Sequence, residues 1–308
     1  TVDLGPAVYD LSVTGTSSAG DAAGEVGDPV YIDPSTFALT LDATKKFFGH
    51  LMEAVAAGAT ATVRVRVQQS PSSPGDLGPG EIVTLENFES NPVTSKIGGG
   101  AAGGTTGDEN VMLLGNNVFE YHILGAGQTI TAPSLAAGGL NVGLDQTDDE
   151  GCEITRGITS RSPEAFTIGA SPAFYAKCKF SIADVSGTDD CAFGFRKAAA
   201  YQANIDDYTD MAALNVISGS ITIETILNDA DTDSTDTTDA WEDGETHTLE
   251  VYVSAAGAVT FKIDGNAPST TAEFTFDDGD EVIPFFYLLN ASDLAGAVLL
   301  QAWEVGLQ

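Results

Sequence analysis

Positive charge is scarce in this 308-residue chain, which has 12 lysines and arginines against 45 aspartates and glutamates, a formal net charge of −33. Proteins that bind nucleic acid need clustered basic side chains to displace the counterions of the phosphate backbone. Attraction to anionic lipid surfaces depends on similar basic clusters. We therefore expect neither nucleic acid nor membranes among the partners of this protein.

Cysteine, histidine and long apolar runs are also scarce. The three cysteines, Cys152, Cys178 and Cys191, lack CxxC spacing, so they predict buried thiols rather than a disulfide framework or a zinc site. The three histidines lie far apart, without HxH or HExxH spacing. The longest apolar run, residues 282–289, is too short to cross a bilayer.

What the sequence does contain is apolar residues for a core and short carboxylates for a surface. Hydrophobic residues make up 43% of the chain, which is enough for a folded protein despite the acidity. Aspartate outnumbers glutamate by 28 to 17, and there are only 7 lysines. Such a surface stays hydrated in strong salt, which favours a saline or marine habitat. The alternative is a secreted or densely displayed protein kept soluble by repulsion.

The length predicts two domains, and composition places the boundary. Residues 1–67 hold 8 acids and 4 bases, whereas residues 111–308 hold 31 acids and 7 bases. Between them, residues 68–110 contain Gly-, Pro- and Ser-rich runs that are typical of a linker, with one candidate strand in EIVTLENFES.

The first domain is predicted to be β-rich. PVYID and FALTLDAT flank a Pro-Ser turn, which is typical of a hairpin. The segment from Phe48 to Val55 has near-helical apolar spacing and predicts one short helix. A strand is the alternative there, because Gly49 weakens a helix. Residues 62–67 alternate strictly, which predicts a strand with valines facing a core.

The second domain, residues 111–308, reads as a succession of about a dozen strands. Period-2 alternation is clear in residues 174–180 and 248–253, and turn signals such as Asp264-Gly265 separate the runs. The predicted fold class is therefore all-β: a small N-terminal β-rich domain followed by a two-sheet antiparallel jelly-roll sandwich.

No motif in the sequence predicts catalysis. Glycoside hydrolysis needs two carboxylates facing each other across a cleft. No ExDxxE pattern occurs, and the acid runs 148–150 and 277–280 have turn-like sequences. GxSxG and the Lys-Ser/Thr of a phosphate loop are absent too. We expect no catalytic residue and a protein that is not an enzyme.

One acidic segment has the spacing of a cation loop. Asp229, Asp231 and Asp233 alternate as in an EF-hand, but the sixth and twelfth positions are Ser234 and Ala240. The residues that make the turn and supply the bidentate ligand are therefore missing. The segment is either a solvated acidic loop or a loose calcium or sodium site, and no other cofactor is expected.

Exposed aromatic rings offer flat faces for sugars. Trp241, Tyr201 and Tyr208 are the candidates for a glycan platform, with core packing as the alternative for Trp241. Trp303, in the final strand, is expected in the core.

Two resemblances add to these patterns. GDPVYID, FALTLDAT and FFGHLMEAVAAGATATVRVRV together resemble the small β-domain of tailed-phage capsid decoration (cement) proteins, over about a fifth of the chain. The second domain resembles concanavalin-like lectin and glucanase sandwiches in strand order, through HTLEVYV, VTF and KIDG. Because the glucanase carboxylates are missing, only the fold carries over.

The first resemblance implies a homotrimer that docks on the major capsid protein, with the acidic sandwich displayed on the outer surface of the virion. Trimerisation would supply buried area that so small a domain lacks. The candidates for the capsid or trimer interface are Lys45, Lys46, Arg64, Arg66, Tyr31 and Phe48. The alternative for the four bases is a solvated face. Residues 1–10 are either an arm on a neighbouring subunit or a frayed terminus.

Two functions follow as hypotheses. The first is a structural virion protein that decorates and stabilises a capsid. The alternative is a secreted or surface carbohydrate-binding protein with a non-catalytic, lectin-like module. The two overlap, because a displayed sandwich that holds host-surface glycans would satisfy both.

Overall fold

The computed structural model describes residues 8–17, 20–21, 23–25, 28–33, 36–42, 45–67, 82–96, 109–114, 117–124, 132–142, 148–159, 162–291 and 296–308. The chain divides into two compact units, Thr1–Ser72 and Ser73–Gln308, which we call the barrel unit and the sandwich unit. None of the described segments forms a helix with the length and apolarity that a bilayer crossing requires.

The barrel unit is built from short strands. They are β1 Val8–Thr14, β2 Thr16–Ser17, β3 Gly20–Asp21, β4 Pro29–Ile32, β5 Leu39–Thr40, β6 Lys46–Leu51 and β7 Thr60–Val67. Five of them close a barrel in the order β1-β5-β4-β6-β7, with β7 pairing antiparallel to β1. Strands β2 and β3 form a separate two-stranded ribbon.

The barrel core is small and mostly valine and leucine. Val63 and Val65 of β7 point into it and Arg64 points out, as the alternating pattern predicted. Of the two alternatives for Phe48 to Val55, the short helix is wrong and the strand is confirmed: Lys46–Leu51 is strand β6, which pairs with β4 and β7. Closure of the barrel requires a strand at this place, and this requirement outweighs the near-helical spacing.

The sandwich unit contains eighteen strands among the described residues. They are β8 Ile82–Glu86, β9 Val93–Lys96, β10 Glu109–Leu114, β11 Asn117–Leu124, β12 Ser134–Ala136, β13 Gly139–Asn141, β14 Gly151–Thr155, β15 Phe166–Thr167, β16 Phe174–Ile182, β17 Thr188–Lys197, β18 Met211–Ile217, β19 Ser220–Ile226, β20 Asp233–Ala240, β21 Thr246–Val253, β22 Ala258–Ile263, β23 Phe274–Thr275, β24 Glu281–Asn290 and β25 Val298–Leu307. Two single 3₁₀ turns, Val185–Gly187 and Ile205–Asp207, interrupt them.

These strands form two antiparallel sheets that share one core. The ten-stranded sheet runs β20-β19-β18-β17-β24-β14-β11-β10-β9, and β15 also pairs with β24. The eight-stranded sheet runs β12-β13-β25-β16-β21-β22-β23, and β8 also pairs with β25. The prediction of an all-β fold with an antiparallel sandwich is confirmed.

Alternation places one face of each strand between the sheets. On β16, Phe174, Ala176 and Cys178 are buried in the core, and their neighbours face outward. The free thiols of Cys152, Cys178 and Cys191 are all buried there. Burial raises the pKa of the Cys152 thiol to about 12.

Two segments contain more strand than the sequence predicted. The stretch 68–110 was predicted as a linker with one candidate strand in EIVTLENFES; Ile82–Glu86 forms within that candidate and pairs with β25, and Val93–Lys96 is a further strand that pairs with β10. The acidic segment predicted as a loop forms strand β20 from Asp233 to Ala240, at the edge of the ten-stranded sheet. An edge strand tolerates carboxylates because one side faces water, and its charges prevent edge-to-edge pairing.

Gly194 lies where strands β17 and β18 leave no room for a side chain. A Cβ at this position would come within 2.1 Å of the Ala212 carbonyl oxygen and 2.5 Å of the Ala213 Cα. We expect Gly194→Ala to lower the free energy of unfolding by about 3 kcal/mol, because the clash is with backbone. Urea unfolding followed by tryptophan fluorescence measures this, since Trp241 and Trp303 both lie in the sandwich unit.

The control is Gly244→Ala. Gly244 has open space around its Cβ position but a φ of +75°. It should lose about 1 kcal/mol, the cost of the left-handed backbone alone. Equal losses in the two variants would contradict the packing explanation.

Candidate functional site

A buried ion pair lies on the outer face of the ten-stranded sheet, the face turned away from the inter-sheet core. Arg196 of β17 donates through Nε to Glu153 Oε1 of β14 at 2.6 Å, and neither side chain is exposed. Burial raises the pKa of Glu153, and the nearby Arg196 limits the rise. Burial opposes the charge of Arg196, but attraction to Glu153 outweighs it, and the pKa of Arg196 is raised.

Aromatic rings surround this pair. The guanidinium carbon of Arg196 lies 4.4 Å from the Tyr208 ring centroid and 5.7 Å from that of Tyr201. The Tyr208 hydroxyl donates to the Glu153 carboxylate. On the other side, Tyr201 stacks on His122 with centroids 4.4 Å apart. The structure thus brings together two of the three predicted platform residues, but around a cation.

A loop from Ala198 to Thr209, here the covering loop, closes this face. Arg196 Nη1 donates to the Ala199 carbonyl at 3.0 Å, and the Tyr287 hydroxyl donates to the Ala203 carbonyl at 2.9 Å. Ile205 and Tyr208 pack with Phe285 in a second hydrophobic cluster beneath the loop. The loop is therefore held by hydrogen bonds and by apolar burial at once.

Two of the three candidates for the glycan platform, Tyr208 and Trp241, are buried. Tyr208 is 2% exposed under the covering loop, and Trp241 is 1% exposed in the core between the sheets. Trp241 packs on Phe180 with centroids 4.6 Å apart, and its indole N–H donates to the Glu245 carbonyl. The rings of Trp241 and Tyr208 are structural, because the core between the sheets needs a large side chain at the first position and the packing under the covering loop needs one at the second. Trp303 is in the core, as expected.

A pair of carboxylates shares one amide on the same face. Asn215 Nδ2 donates to Asp190 Oδ1 at 2.6 Å and to Glu224 Oε2 at 2.9 Å. Burial, with Asp206 and Asp189 nearby, raises the pKa of Asp190 to about 6 and that of Glu224 to about 7. The pair therefore takes up protons near neutral pH.

The three candidate cation ligands do not converge. Asp229 lies in a turn with a φ of +60°, whereas Asp233 begins strand β20. Asp231 and Asp233 line a shallow depression of about 380 Å³ together with Glu273. No group of three or more metal-ligating side chains occurs in the part of the chain that the structure describes.

In the barrel unit, two of the predicted interface bases pair with acids of their own unit. Lys45 Nζ lies 3.1 Å from Asp33, and Arg64 binds Glu53 through Nε at 2.8 Å and Nη2 at 2.7 Å. The structure describes the side chains of only two of the other four predicted interface residues. Tyr31 and Phe48 are half-buried, and the side chains of Lys46 and Arg66 lie outside the described residues.

Sequence reasoning missed two features. Phe37 is 76% exposed at the tip of the β4–β5 turn, with a φ of +57°. The Arg196–Glu153 pair was missed as well, although Glu153 is the single charge in CEIT and Arg196 directly follows the apolar run CAFGF. A charged residue in a buried strand predicts a buried partner of opposite charge, and this pattern would have predicted that Arg196 and Glu153 pair.

Removing Arg196 should strongly destabilise the sandwich unit. We expect Arg196→Met to lower the free energy of unfolding by about 3–5 kcal/mol, because Glu153 is left as an uncompensated buried charge. The double variant Arg196→Met/Glu153→Gln should recover part of this loss. Urea unfolding followed by tryptophan fluorescence checks both.

The matched control is the neighbouring base. Lys197 is 38% exposed and pairs with Asp210 and Asp280, so Lys197→Met should cost roughly 1 kcal/mol. A loss from Arg196→Met no larger than this would contradict the role given to the buried pair.

The shared-amide carboxylates should make the unit more stable in mild acid. Their pKa values are raised on folding, so the folded state binds more protons between about pH 4 and pH 7, and stability falls as pH rises through this window. Glu224→Gln should reduce the loss between pH 5 and pH 8 by on the order of 2 kcal/mol. Urea midpoints across this range measure it. The exposed Glu242→Gln should leave the pH dependence unchanged; if both variants behave alike, general charge repulsion is the cause.

Comparisons with known proteins show no family for this chain. No protein-family model and no curated protein sequence matches the chain. Among solved structures, the potassium-bound carbohydrate recognition domain of Emp46p is 11% identical with a TM-score of 0.42, covering 60% of this chain and 88% of that one.

Two further structures are similar at the same level. One is the CBM2 module of the evolved Dit protein of Lactobacillus casei BL23 phage J-1, 12% identical, TM-score 0.39, covering 73% of this chain and 94% of that one. The other is a glycoside hydrolase family 16 endo-glucanase from Bacteroides ovatus, 9% identical, TM-score 0.39, covering 73% and 100%. Scores this low, for proteins this different in function, assign neither a family nor a ligand to the chain.

Proposed function

We propose that the protein is a non-catalytic structural component of a virion, in which the barrel unit docks on the capsid and the sandwich unit is displayed outward. The observation that carries the proposal is the division of charge between two units with separate cores. Residues 1–72 hold 8 acids and 4 bases, a net charge of −4, and residues 73–308 hold 37 acids and 8 bases, a net charge of −29.

The barrel unit has the properties of a docking domain. Among its described residues, the core holds seven buried side chains, a small number for an independent domain, so added buried area would stabilise it. Phe37 and Met52 are large apolar side chains that it leaves exposed. Because Lys45 and Arg64 already pair within the unit, we assign the docking energy to Phe37 rather than to these two bases.

The sandwich unit has the properties of a displayed domain. Its charge repels other acidic surfaces and keeps neighbouring particles apart. Three carboxylates on the outer face of the ten-stranded sheet are paired or bridged: Glu153 is held by Arg196, and Asp190 and Glu224 share Asn215. These contacts leave them occupied by protein groups, which supports a role without catalysis.

Carbohydrate binding is the second candidate. A two-sheet antiparallel sandwich with lectin-like architecture favours it. Since Trp241 and Tyr208 are buried, a glycan would need a surface other than the predicted platform.

Co-sedimentation with undecorated shells of the parent virus tests the docking proposal. The full-length protein should pellet with the shells saturably, and Phe37→Ser should bind about tenfold more weakly, because an exposed phenyl ring buried on docking contributes on the order of 1.5 kcal/mol. The control is Leu135→Ser, which removes an exposed apolar side chain from the sandwich unit. If the full-length protein stays in the supernatant at excess shells, the proposed function is wrong.

A further inference from the structure

The outer face of the eight-stranded sheet carries an ordered row of alternating charges. Alternation turns these side chains away from the core, because Leu249, Val251 and Trp303 occupy the inner positions of the same strands. We call it the ladder face, and its residues are Tyr175, Lys177, Glu250, Tyr252, Thr260, Lys262, Glu304 and Gly306.

Strand register sets the order of this row. Lys262 of β22 lies opposite Glu250 of β21, Glu250 opposite Lys177 of β16, and Lys177 opposite Glu304 of β25. The charges therefore alternate as plus, minus, plus, minus across four strands. Two residues away on each strand, and on the same face, a second row runs through Thr260, Tyr252, Tyr175 and Gly306.

Aromatic contacts fix the side chains of both rows. The Tyr175 and Tyr252 rings stack with centroids 5.5 Å apart. Lys177 Nζ lies 4.8 Å from the Tyr175 centroid, and Lys262 Nζ lies 4.6 Å from that of Tyr252. The hydroxyl of Tyr175 donates to Glu304 at 2.7 Å and that of Tyr252 to Glu250 at 2.6 Å. The ladder face is thus preorganised.

The face also differs in charge from the rest of the unit. On β16, β21, β22 and β25 the outward side chains include three lysines, with Lys179 as the third, and two glutamates, a net charge of +1 within a unit of −29. Glu245 and Asp264 at its edge both contact His247. Two copies of so acidic a chain approach with least repulsion through such a face.

We propose that the ladder face binds a second copy of the chain. The row is self-complementary under a twofold axis that runs along the strands between β21 and β16. That rotation places Lys262 opposite Glu304 of the second copy and Glu250 opposite Lys177 of the second copy. It also places Tyr252 opposite Tyr175 of the second copy and Thr260 opposite its Gly306. The contact is isologous, so each pairing occurs twice.

The geometry of sheet packing accommodates this arrangement. Sheets pack face to face at about 10 Å, with strand directions within about 30°. A twofold axis that lies in the interface relates two such sheets when the strands of each sheet are inclined to the axis by half of that angle. Glu250 and Glu304 keep their tyrosine hydrogen bonds, Lys177 keeps its ion pairs, and Lys262 keeps its contact with the Tyr252 ring within the same chain, which lowers the cost of removing these charges from water.

Salt dependence distinguishes this contact from a simple ion-pair interface. Each copy carries −33, and this repulsion acts over long distances. The screening length is about 30 Å at 0.01 M salt and about 8 Å at 0.15 M, so added salt screens distant charges more than paired ones in contact. The dimer should therefore strengthen as salt rises between these concentrations.

Charge-swap variants test the pairing directly. By sedimentation equilibrium of the full-length protein at 0.15 M salt, the mass should approach twice 31.8 kDa with rising concentration. Lys262→Glu alone and Glu304→Lys alone should each associate about tenfold more weakly, since each creates two repulsive contacts. An equimolar mixture should regain the dimer, because the swapped residues face each other. Lys45→Glu, in the barrel unit, is the control and should associate as the unchanged protein does.

Three results would overturn the proposal: a protein that stays monomeric at all concentrations and salt levels, swap variants that associate normally, or folded variants that fail to associate when mixed. Melting temperatures establish that the variants fold. If Lys262→Glu or Glu304→Lys does not fold, Lys262→Gln and Glu304→Gln are used in their place. Each of these should associate more weakly than the unchanged protein. Assembly that persists in both single variants would belong to another surface, such as the barrel. Binding to shells is a separate measurement, so either proposal can fail alone.

Discussion

Strand β24 is buried on both faces, and the rest of the sandwich unit is arranged around this constraint. Phe286 and Leu288 face the core between the sheets, and Phe285 and Tyr287 face the opposite way. A strand that is apolar on both sides requires a cover on each. The eight-stranded sheet provides one cover and the covering loop provides the other, with Arg196 holding the start of that loop. The outer face of the ten-stranded sheet is closed at this point because its central strand cannot face water.

The few bases of the sandwich unit join parts of the chain that are distant in sequence. Arg196 is buried beside Glu153, Lys197 joins Asp210 to Asp280, and Lys177 lies between Glu250 and Glu304. Each of the two lysines holds together two acids from different strands or loops, and Arg196 holds one acid of another strand. The acids that remain without a base determine the field around the protein, which explains why the sandwich unit combines local neutrality at its junctions with a strongly negative exterior.

Much of the fold follows from pattern in the sequence, whereas the site depends on contacts that pattern does not encode. Alternation in residues 174–180 and 248–253 predicted β16 and β21 because both strands bury one face and expose the other. Strand β20 was missed because an edge strand needs no apolar face, and β6 was left open between a short helix and a strand because local spacing does not report the closure of the barrel. Tyr208 was read as a surface ring because its burial is produced by a loop that folds back, and no local pattern reports that.

The buried thiols give the sandwich unit an internal reporter of its own opening. Cys152, Cys178 and Cys191 are the only cysteines in the sequence, and all three lie in the core between the two sheets. A thiol reagent needs an exposed thiolate, and burial has removed both exposure and acidity. The rate of alkylation therefore measures how often the two sheets separate. The barrel unit contains no cysteine and contributes nothing to this signal, so opening of the sandwich unit can be timed inside the intact protein.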